Sequence, residues 1–328
     1  MILGARRPRQ QGLVALLLAT TLVLTLSTTL VLSELGQRRE VGDQQALTQK
    51  RLLALRQALV NFASVNGRLP CPADGALLPG DVNLGLERRA ANGTCLVVAG
   101  IPIMNRGVVP WTTLGLPGDE ALDAWGRKVS YRVFEGTTGL TRAGGASMVE
   151  CDSDFTSPLP ATAAAPAASA AAVAPNFQCT AAATRINPAS VLDPIRRRGL
   201  AVYDESQSTT TVWQVALVLI SHGASGAGAW VPGSTTRLAL PPVANAVERA
   251  NGLVLNAATV PTTPTVCPLP PAAMPAQPIC HYRLNKSDAK VALTSNDHFD
   301  DQVVYVTFFD LFNPAGQFSA AGRAPRNW

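Results

Sequence analysis

The sequence is poor in residues that metal binding and redox chemistry usually require. It has three histidines, His222, His281 and His298, which are too widely scattered along the chain to predict a zinc-ligand set. Its six cysteines form no C-x-x-C pair, so the usual spacing of zinc ribbons and redox thiols is missing. The even number of cysteines instead favours disulfides, as in exported proteins.

Motifs for nucleophilic and phosphate chemistry are also missing. Ser221, His222 and Ser225 surround a glycine-rich stretch, but the G-x-S-x-G pattern fails because residue 227 is alanine. A phosphate-binding loop fails because the stretch has no lysine. No other acid-base or nucleophile constellation stands out, so the sequence predicts a protein that is not an enzyme.

The distribution of charge argues against nucleic acid as a partner. The formal net charge is +5. Five arginines and two glutamates give residues 1–40 a balance of +3, which leaves only +2 for residues 41–328. The long C-terminal part therefore lacks the basic excess of a nucleic-acid-binding domain.

Apolar residues are abundant at the N-terminus. The run Leu13–Ser33 has no charge over 21 residues, which is long enough for a helix to cross a hydrocarbon core of roughly 30 Å. Three arginines at 6, 7 and 9 precede the run and predict that the N-terminus stays in the cytoplasm. The sequence thus predicts a membrane span over residues 13–33, with all later residues outside the cytoplasm.

An amphipathic pattern continues from residue 34 to residue 66. Its apolar residues recur at steps of three and four, which predicts a helix with one buried face; they are Leu52, Leu55, Leu59 and Phe62. Asn66 and Gly67 form a natural helix end, and Pro70 prevents continuation. Residues 13–66 are therefore predicted to form one long helix whose second half packs on a soluble domain.

A short basic leader ending in glycine, followed by such a helix, resembles the N-terminus of type IV pilins and of type II secretion pseudopilins. The resemblance implies that residues 1–12 are a leader, that prepilin peptidase cuts after Gly12, and that the new N-terminal Leu13 is methylated. The family usually has glutamate at the fifth mature position, where this chain has Leu17. That difference resembles tip-type minor pseudopilins and some minor pilins.

A second block is similar to the body of the same family. Residues 123–126 form an Asp-Ala-Trp-Gly turn that precedes a strand containing Tyr131, as pseudopilin sheets commonly begin. Alternating or continuous apolar residues predict strands at about 127–134, 211–221 and 302–309. The expected fold is α+β and pilin-like, with the long helix packed on an antiparallel sheet within a domain at 67–328.

The cysteines and the composition predict two insertions in that domain, at about 151–198 and 232–290. The first is rich in alanine and the second in proline. Six cysteines allow 15 connectivities, of which sequential pairing is the most local. Those pairs would be Cys71 with Cys95, Cys151 with Cys179, and Cys267 with Cys280.

An acidic loop precedes the last predicted strand. Asn296, Asp297, Asp300 and Asp301 offer hard oxygen ligands of the kind that calcium requires. In the major pseudopilin the corresponding region binds calcium, so the resemblance implies a calcium site here. The loop lacks EF-hand spacing, and a solvated acidic turn is the alternative.

The resemblance implies a structural role as a minor pseudopilin or minor pilin in a type II secretion or type IV pilus filament. Its implied partners are other pilin or pseudopilin subunits, prepilin peptidase and the inner-membrane assembly platform. The implied location is the inner membrane, with the C-terminal domain in the periplasm. Assembly would depend on the apolar helix, and its residues include Leu17, Leu52, Leu55, Leu59 and Phe62.

Three alternatives remain open at this stage. An anchored hydrolase is disfavoured, because no acid-base or nucleophile constellation appears. A single-pass anchor without processing would carry a periplasmic binding module. A cleaved secretory signal peptide fits less well, because its apolar region is normally about 7–15 residues long and ends at a small-x-small cleavage site.

Overall fold

The computed structural model of the chain describes residues 9–91, 93–98, 101–103, 107–134, 140–141, 200–205, 210–242, 245–252, 280–284, 294–295, 298–307 and 310–311. The predicted insertion at 151–198, with Cys151 and Cys179, lies outside these residues, as does Cys267. The chain divides into two compact units, residues 1–46 and 47–328, which we describe separately.

The first element is helix α1, Arg9–Asn66. Its N-terminal part is rich in leucine, a good helix former, although valine and threonine, which have lower helix propensity, are also frequent there. The backbone remains helical through Gly36 and Gly42, although each glycine weakens a helix by about 1 kcal/mol relative to alanine. Gly12 and Leu13, which flank the predicted cleavage position, both lie in the helical backbone.

The predicted membrane span is wrong. Among the residues that the structure describes, no helix is both long and apolar enough to cross a lipid bilayer. A crossing requires about 20 predominantly apolar residues. The predicted single-pass location in the inner membrane, which depended on this span, is wrong as well.

In the second unit, one face of residues 47–66 is buried in the domain core. Leu52, Leu55 and Leu59 are buried as predicted, and Val60 and Ala63 extend the same face. The edges of this face are less covered: Phe62 is half-buried below the guanidinium of Arg68, whereas Leu53 and Val65 are exposed. The predicted amphipathic stripe is therefore confirmed at its centre and narrower than expected at its edges.

Helix α1 ends at the residue that the sequence predicts. Gly67 adopts a left-handed backbone with φ of +63°, and its N–H donates to the Ala63 carbonyl at 2.9 Å. Glycine adopts this conformation without the steric cost that a Cβ atom adds. The chain then enters a loop that a disulfide fastens.

The domain is built on a five-stranded sheet. Its strands are β3 (Ser130–Val133), β4 (Leu200–Asp204), β5 (Thr210–Ser221), β6 (Cys280–Arg283) and β7 (Gln302–Thr307), and a separate hairpin contains β1 (Val97–Val98) and β2 (Ile101–Pro102). β5 pairs antiparallel with β3, β4 and β7. β6 pairs parallel with β4, so the sheet is mixed and not antiparallel throughout.

β5 is apolar on both faces because both faces of the sheet are covered. Leu217 and Leu219 belong to the same buried cluster as Leu55 of α1. Val218 and Ile220 point to the opposite face and belong to a second cluster with Val303. The prediction of a central strand from its near-continuous apolar sequence is confirmed.

The predicted disulfide between Cys71 and Cys95 is present, with a Cα–Cα distance of 5.4 Å. Both cysteines are buried against Ile103. The bridge fastens the loop that follows α1. The predicted pairs of Cys151 with Cys179 and of Cys267 with Cys280 depend on side chains outside the described residues.

The predicted insertion at 232–290 contributes structure to the domain. It supplies helix α2 (Ala246–Gly252) as well as β6, which begins at Cys280. α2 and β6 contact each other through the Asn251 side chain, which donates to the Tyr282 carbonyl at 2.9 Å and accepts from the Tyr282 N–H at 2.8 Å. Part of this segment is therefore integral to the fold.

Candidate functional site

The first candidate site is the apolar surface of α1 within residues 16–28, in the unit formed by residues 1–46. Its large side chains are 55–66% exposed; they are Leu16, Leu18, Leu22, Val23, Leu24 and Leu26. Leu22, Val23 and Leu24 are consecutive and so point about 100° apart around the helix axis. The surface is therefore apolar around the helix and not along one stripe.

The hydroxyl groups of this stretch are satisfied within the helix. Thr25 donates to the Leu22 carbonyl at 2.9 Å, and Thr28 donates to the Leu24 carbonyl at 2.9 Å. Ser27 makes the same type of bond to the Leu24 carbonyl at 3.0 Å. Because these hydroxyl hydrogens are already donated to the helix, the residues present no free donor to the exterior, and the surface is more apolar than its composition suggests.

The predicted processing and assembly residues of this region are only partly described. Gly12 and Leu13 lie in the helical backbone, and the side chains of Leu13 and Leu17 lie outside the described residues. The predicted assembly residues Leu52, Leu55 and Leu59 are buried in the domain core. They hold the helix to its own domain, so they are not available to contact another subunit.

The second candidate site lies where β5 ends and β7 begins. β5 and β7 are antiparallel, and Ser221 pairs with Gln302 in their register. The turn after β5 therefore meets the loop before β7. Residues from α2 complete the site. We call Glu248, His298, Asp300 and Asp301 the carboxylate–histidine cluster.

Three members of the carboxylate–histidine cluster point at one another. His298 Nε2 lies 3.4 Å from Glu248 Oε2 and 3.9 Å from Asp300 Oδ2. One ligand atom from each of the three residues lies within 4.8 Å of the other two. All three side chains are buried, so the arrangement is enclosed within the domain.

Two residues of the turn after β5 hold Asp300 in place. The Ser225 N–H donates to Asp300 Oδ2 at 2.6 Å, and Ser225 Oγ lies 3.0 Å from Asp300 Oδ1. Gly223 has φ of +54°, and a Cβ atom there would lie 2.6 Å from the Asp300 carboxyl carbon. The turn therefore requires glycine at 223, both for its backbone angle and for this close approach.

Asn245 positions Glu248 from the start of α2. Its Oδ1 accepts from the Glu248 N–H at 3.2 Å, which is the contact of a helix N-cap. Its Nδ2 donates to Glu248 Oε2 at 3.0 Å and to the His298 carbonyl at 3.2 Å. The cap residue thus connects the helix to the loop before β7.

Asp301 is buried without matching hydrogen-bond donors. Neither of its carboxylate oxygens has a hydrogen-bond partner among the described residues. His222 Nδ1 lies 3.5 Å from Asp301 Oδ1. The Asn251 amide donates one hydrogen to the Tyr282 carbonyl, and its interaction with the Asp301 carboxylate lowers the Asp301 pKa in part.

The clustering of carboxylates changes their acidity. Burial, followed by the charges of Asp301 and Asp300, raises the pKa of Glu248 to about 8. Burial and the charge of Asp300 likewise raise the pKa of Asp301 well above its usual value. Among the described residues, no lysine or arginine lies within 4.0 Å of the Glu248, Asp300 or Asp301 carboxylates. The site therefore concentrates buried acidic groups with no lysine or arginine of the described residues beside them, which favours their protonated, uncharged forms.

His222 lies between Ser130 of β3 and Asp301 of this site. The three side chains therefore follow the Ser-His-Asp order of a hydrolase triad. Its Nε2 lies 3.0 Å from Ser130 Oγ, and its Nδ1 faces Asp301. Burial and then the charges of Arg237 and Arg132 lower the His222 pKa to about 3, so the ring is neutral near pH 7. Ser130, His222 and Asp301 are all buried. The serine is therefore enclosed by the folded domain, where its contact with His222 joins β3 to the turn after β5.

The predicted calcium ligands are only partly placed by the structure. Asp300 and Asp301 lie in the carboxylate–histidine cluster, whereas Asn296 and Asp297 lie outside the described residues. Sequence analysis missed His298 and Glu248. His298 lies within the same acidic loop and was a detectable signal. Glu248 is 50 residues earlier in the chain, and only the packing of α2 brings it to the loop.

A comparison of the chain with protein-family models, with curated proteins and with solved structures finds no match in any of the three.

Proposed function

We propose that the chain is a structural subunit of a pilin-like filament, in the role of a minor pseudopilin or minor pilin. The observation that supports this proposal is the exposed apolar surface of α1 at residues 16–28. Contiguous exposed apolar surface on a folded chain marks a place where another molecule binds.

The shape of that surface determines what kind of partner fits it. A helix that is apolar around its circumference has to be surrounded, because one flat partner would leave the other sides in water. The satisfied hydroxyls of Thr25, Ser27 and Thr28 add no polar groups that need a specific acceptor. A bundle of equivalent helices from other subunits satisfies both requirements.

Residues 52–63 of α1 are occupied within the domain, which assigns a different role to them than to residues 16–28. Leu52, Leu55 and Leu59 are buried against the sheet and hold the helix to the domain. Residues 16–28 are left for contacts between subunits. In this proposal the partners are other pilin or pseudopilin subunits, and prepilin peptidase prepares the chain by cutting between Gly12 and Leu13.

The assembly step is tested by replacing apolar side chains on each part of the helix. We expect the double variant Leu22→Gln/Leu26→Gln to lose self-association, or association with a pilin subunit, in sedimentation velocity. Leu53→Gln is the matched control because Leu53 is also an exposed leucine of α1 but lies in the domain segment. Equal association of both variants would contradict the proposal.

The processing step is tested separately by the mass of the protein made in its own cells. The proposal expects a chain that begins at methylated Leu13, and it expects Gly12→Ala to retain residues 1–12. An unchanged mass in the variant, or an intact Met1 in the unaltered chain, would remove the peptidase from the proposal.

A further inference from the structure

We propose that Glu248, His298, Asp300 and Asp301 bind a divalent transition-metal ion of the zinc class. This inference does not rest on the proposed function. It also differs from the calcium site predicted at residues 296–301, because its ligands include an imidazole nitrogen and a carboxylate from a distant helix.

The spacing of the three central ligand atoms suits one small ion. Zinc lies about 2.0–2.2 Å from histidine nitrogen and carboxylate oxygen, which places two ligands of one ion about 3–4 Å apart. His298 Nε2 is 3.4 Å from Glu248 Oε2 and 3.9 Å from Asp300 Oδ2. Little rearrangement is therefore needed for these atoms to share an ion.

Asp301 supplies an independent reason to expect a cation. Its carboxylate is fully buried, and neither oxygen has a hydrogen-bond partner among the described residues. A buried carboxyl group without partners costs about 1–3 kcal/mol, and native structures rarely tolerate one without a compensating ligand. Asp301 directly follows Asp300 in the chain, and its charge acts on Glu248. A cation would satisfy its oxygens and favour the ionised form of the clustered carboxyl groups.

The donor set favours a transition metal over calcium. Calcium takes six to eight oxygen ligands, usually with carbonyls and waters, whereas an imidazole nitrogen is typical of zinc and its neighbours. The four side chains are buried, which is typical of a structural site with no position left for substrate. Such an ion would fasten the loop before β7 to α2 and to the turn after β5.

Supporting residues already orient the ligands, as outer contacts do in known metal sites. Asn245 donates to Glu248 Oε2, and the Ser225 N–H donates to Asp300 Oδ2. These two bonds come from different elements and limit the movement of both carboxylates. The site is thus largely formed before an ion enters.

The test uses the full-length chain without a histidine tag, stripped with a chelator and titrated with Zn²⁺ against a chromophoric competitor. We expect one zinc per chain and a rise in Tm of roughly 5–10 °C when free zinc exceeds its Kd about 100-fold. Ca²⁺ at the same concentrations should leave the Tm unchanged. Failure to retain zinc, or a response to Ca²⁺ alone, would overturn the proposal.

Variants locate the ion. Glu248→Gln and His298→Gln should each weaken zinc binding by at least about 10–100-fold, the loss typical of removing even a supporting contact. The matched control is His281→Gln, which removes another buried histidine, on β6. If the two cluster variants fold, as judged by circular dichroism, and still bind zinc like the unaltered chain, the ion is elsewhere and the proposal fails.

A measurement on the unaltered chain covers the case in which the variants do not fold. Co²⁺ should replace Zn²⁺ and give weak visible d–d bands without the strong ultraviolet charge-transfer band of thiolate ligands. The bands should disappear when Zn²⁺ is added in excess. Thiolate charge transfer would assign the metal to cysteines and overturn the proposed ligand set.

Discussion

Two stretches of α1, residues 16–28 and residues 52–63, are both rich in leucine but have opposite environments. In the first, the large apolar side chains are exposed. In the second, Leu52, Leu55 and Leu59 are buried among residues of the sheet. The difference cannot come from the amount of apolar residue, so it comes from how polar residues are distributed around the helix.

Polar residues give residues 52–63 one polar and one apolar face, whereas residues 16–28 have no separate polar face. Arg56, Gln57 and Asn61 separate the buried leucines, so one domain can cover the apolar face while water covers the other. Residues 16–28 carry only hydroxyls, and these bond back to the helix. A single domain cannot cover such a helix, whereas a ring of neighbouring helices can.

The strongest test of this contrast is a pair of leucine truncations. Leu55→Ala should lower the free energy of unfolding by about 2–5 kcal/mol, because it leaves a cavity in a packed core. Leu22→Ala should change it by no more than about 0.5 kcal/mol, as expected for an exposed site. Urea unfolding followed by tryptophan fluorescence measures both. A comparable loss in Leu22→Ala would mean that the first stretch also belongs to the folding unit.

Sequence reasoning succeeds where neighbouring residues determine the structure. The central strand β5 follows from its continuous apolar sequence. The helix end at Asn66 follows from the glycine after it, which adopts a left-handed backbone. The Cys71–Cys95 bridge follows from pairing the nearest cysteines. Each of these signals lies within a short segment. The same is true of the buried face that contains Leu52, Leu55 and Leu59.

Sequence reasoning fails where segments distant in the chain determine the structure. It also fails where the absence of charge alone is used to predict a membrane span. Helix α2 is seven residues long and β6 is four, and neither has a pattern that distinguishes it from a loop. Glu248 reaches His298 only through the packing of α2. The uncharged run at 13–33 predicts a membrane span, whereas no helix among the described residues is both long and apolar enough to cross a bilayer.

A second pair of variants compares two glutamates. Glu87 is held by hydrogen bonds within the domain, whereas Glu40 is exposed on α1. Glu87 accepts two bonds from Arg68, at 2.6 and 2.8 Å, and one from the Cys71 N–H at 3.0 Å. Burial opposes its ionisation, but these bonds outweigh burial and lower the Glu87 pKa below 4.5. Glu87→Gln should therefore cost about 1.5–3 kcal/mol near neutral pH.

The sign of this effect gives it a pH dependence. Because the folded-state pKa is lowered, the stabilisation is fully present above pH 4.5 and is lost as the pH falls through the folded-state value. Urea unfolding of the variant and of the unaltered chain should converge at low pH. Glu40→Gln, on the exposed surface of the first unit, should leave the stability unchanged.

Two threonines test whether hydrogen bonding distinguishes the same two parts of α1. Thr48 is buried, and its Oγ1 accepts from the Ala124 N–H at 3.0 Å, so Thr48→Val leaves that donor unpaired. We expect a loss of about 1–2 kcal/mol in the free energy of unfolding. Thr25→Val removes only a bond back to its own helix and should have almost no effect on stability or on association. A loss of association in Thr25→Val would show that the hydroxyl itself contacts a partner.

The smallest expected effects come from replacing two glycines by alanine. The two replacements should change local helix stability in opposite directions. Gly67 needs a positive φ at the helix end, so Gly67→Ala should destabilise that end by about 1 kcal/mol. Gly42 lies in the helical backbone, and a Cβ atom added there would meet no atom within 4 Å apart from the adjacent helix backbone, so Gly42→Ala should stabilise its turn by up to about 1 kcal/mol. Amide hydrogen exchange around each position measures both changes locally. If Gly42→Ala stabilises the helix and also strengthens subunit association, helix order in the first unit limits assembly. If association is unchanged, the apolar surface determines assembly.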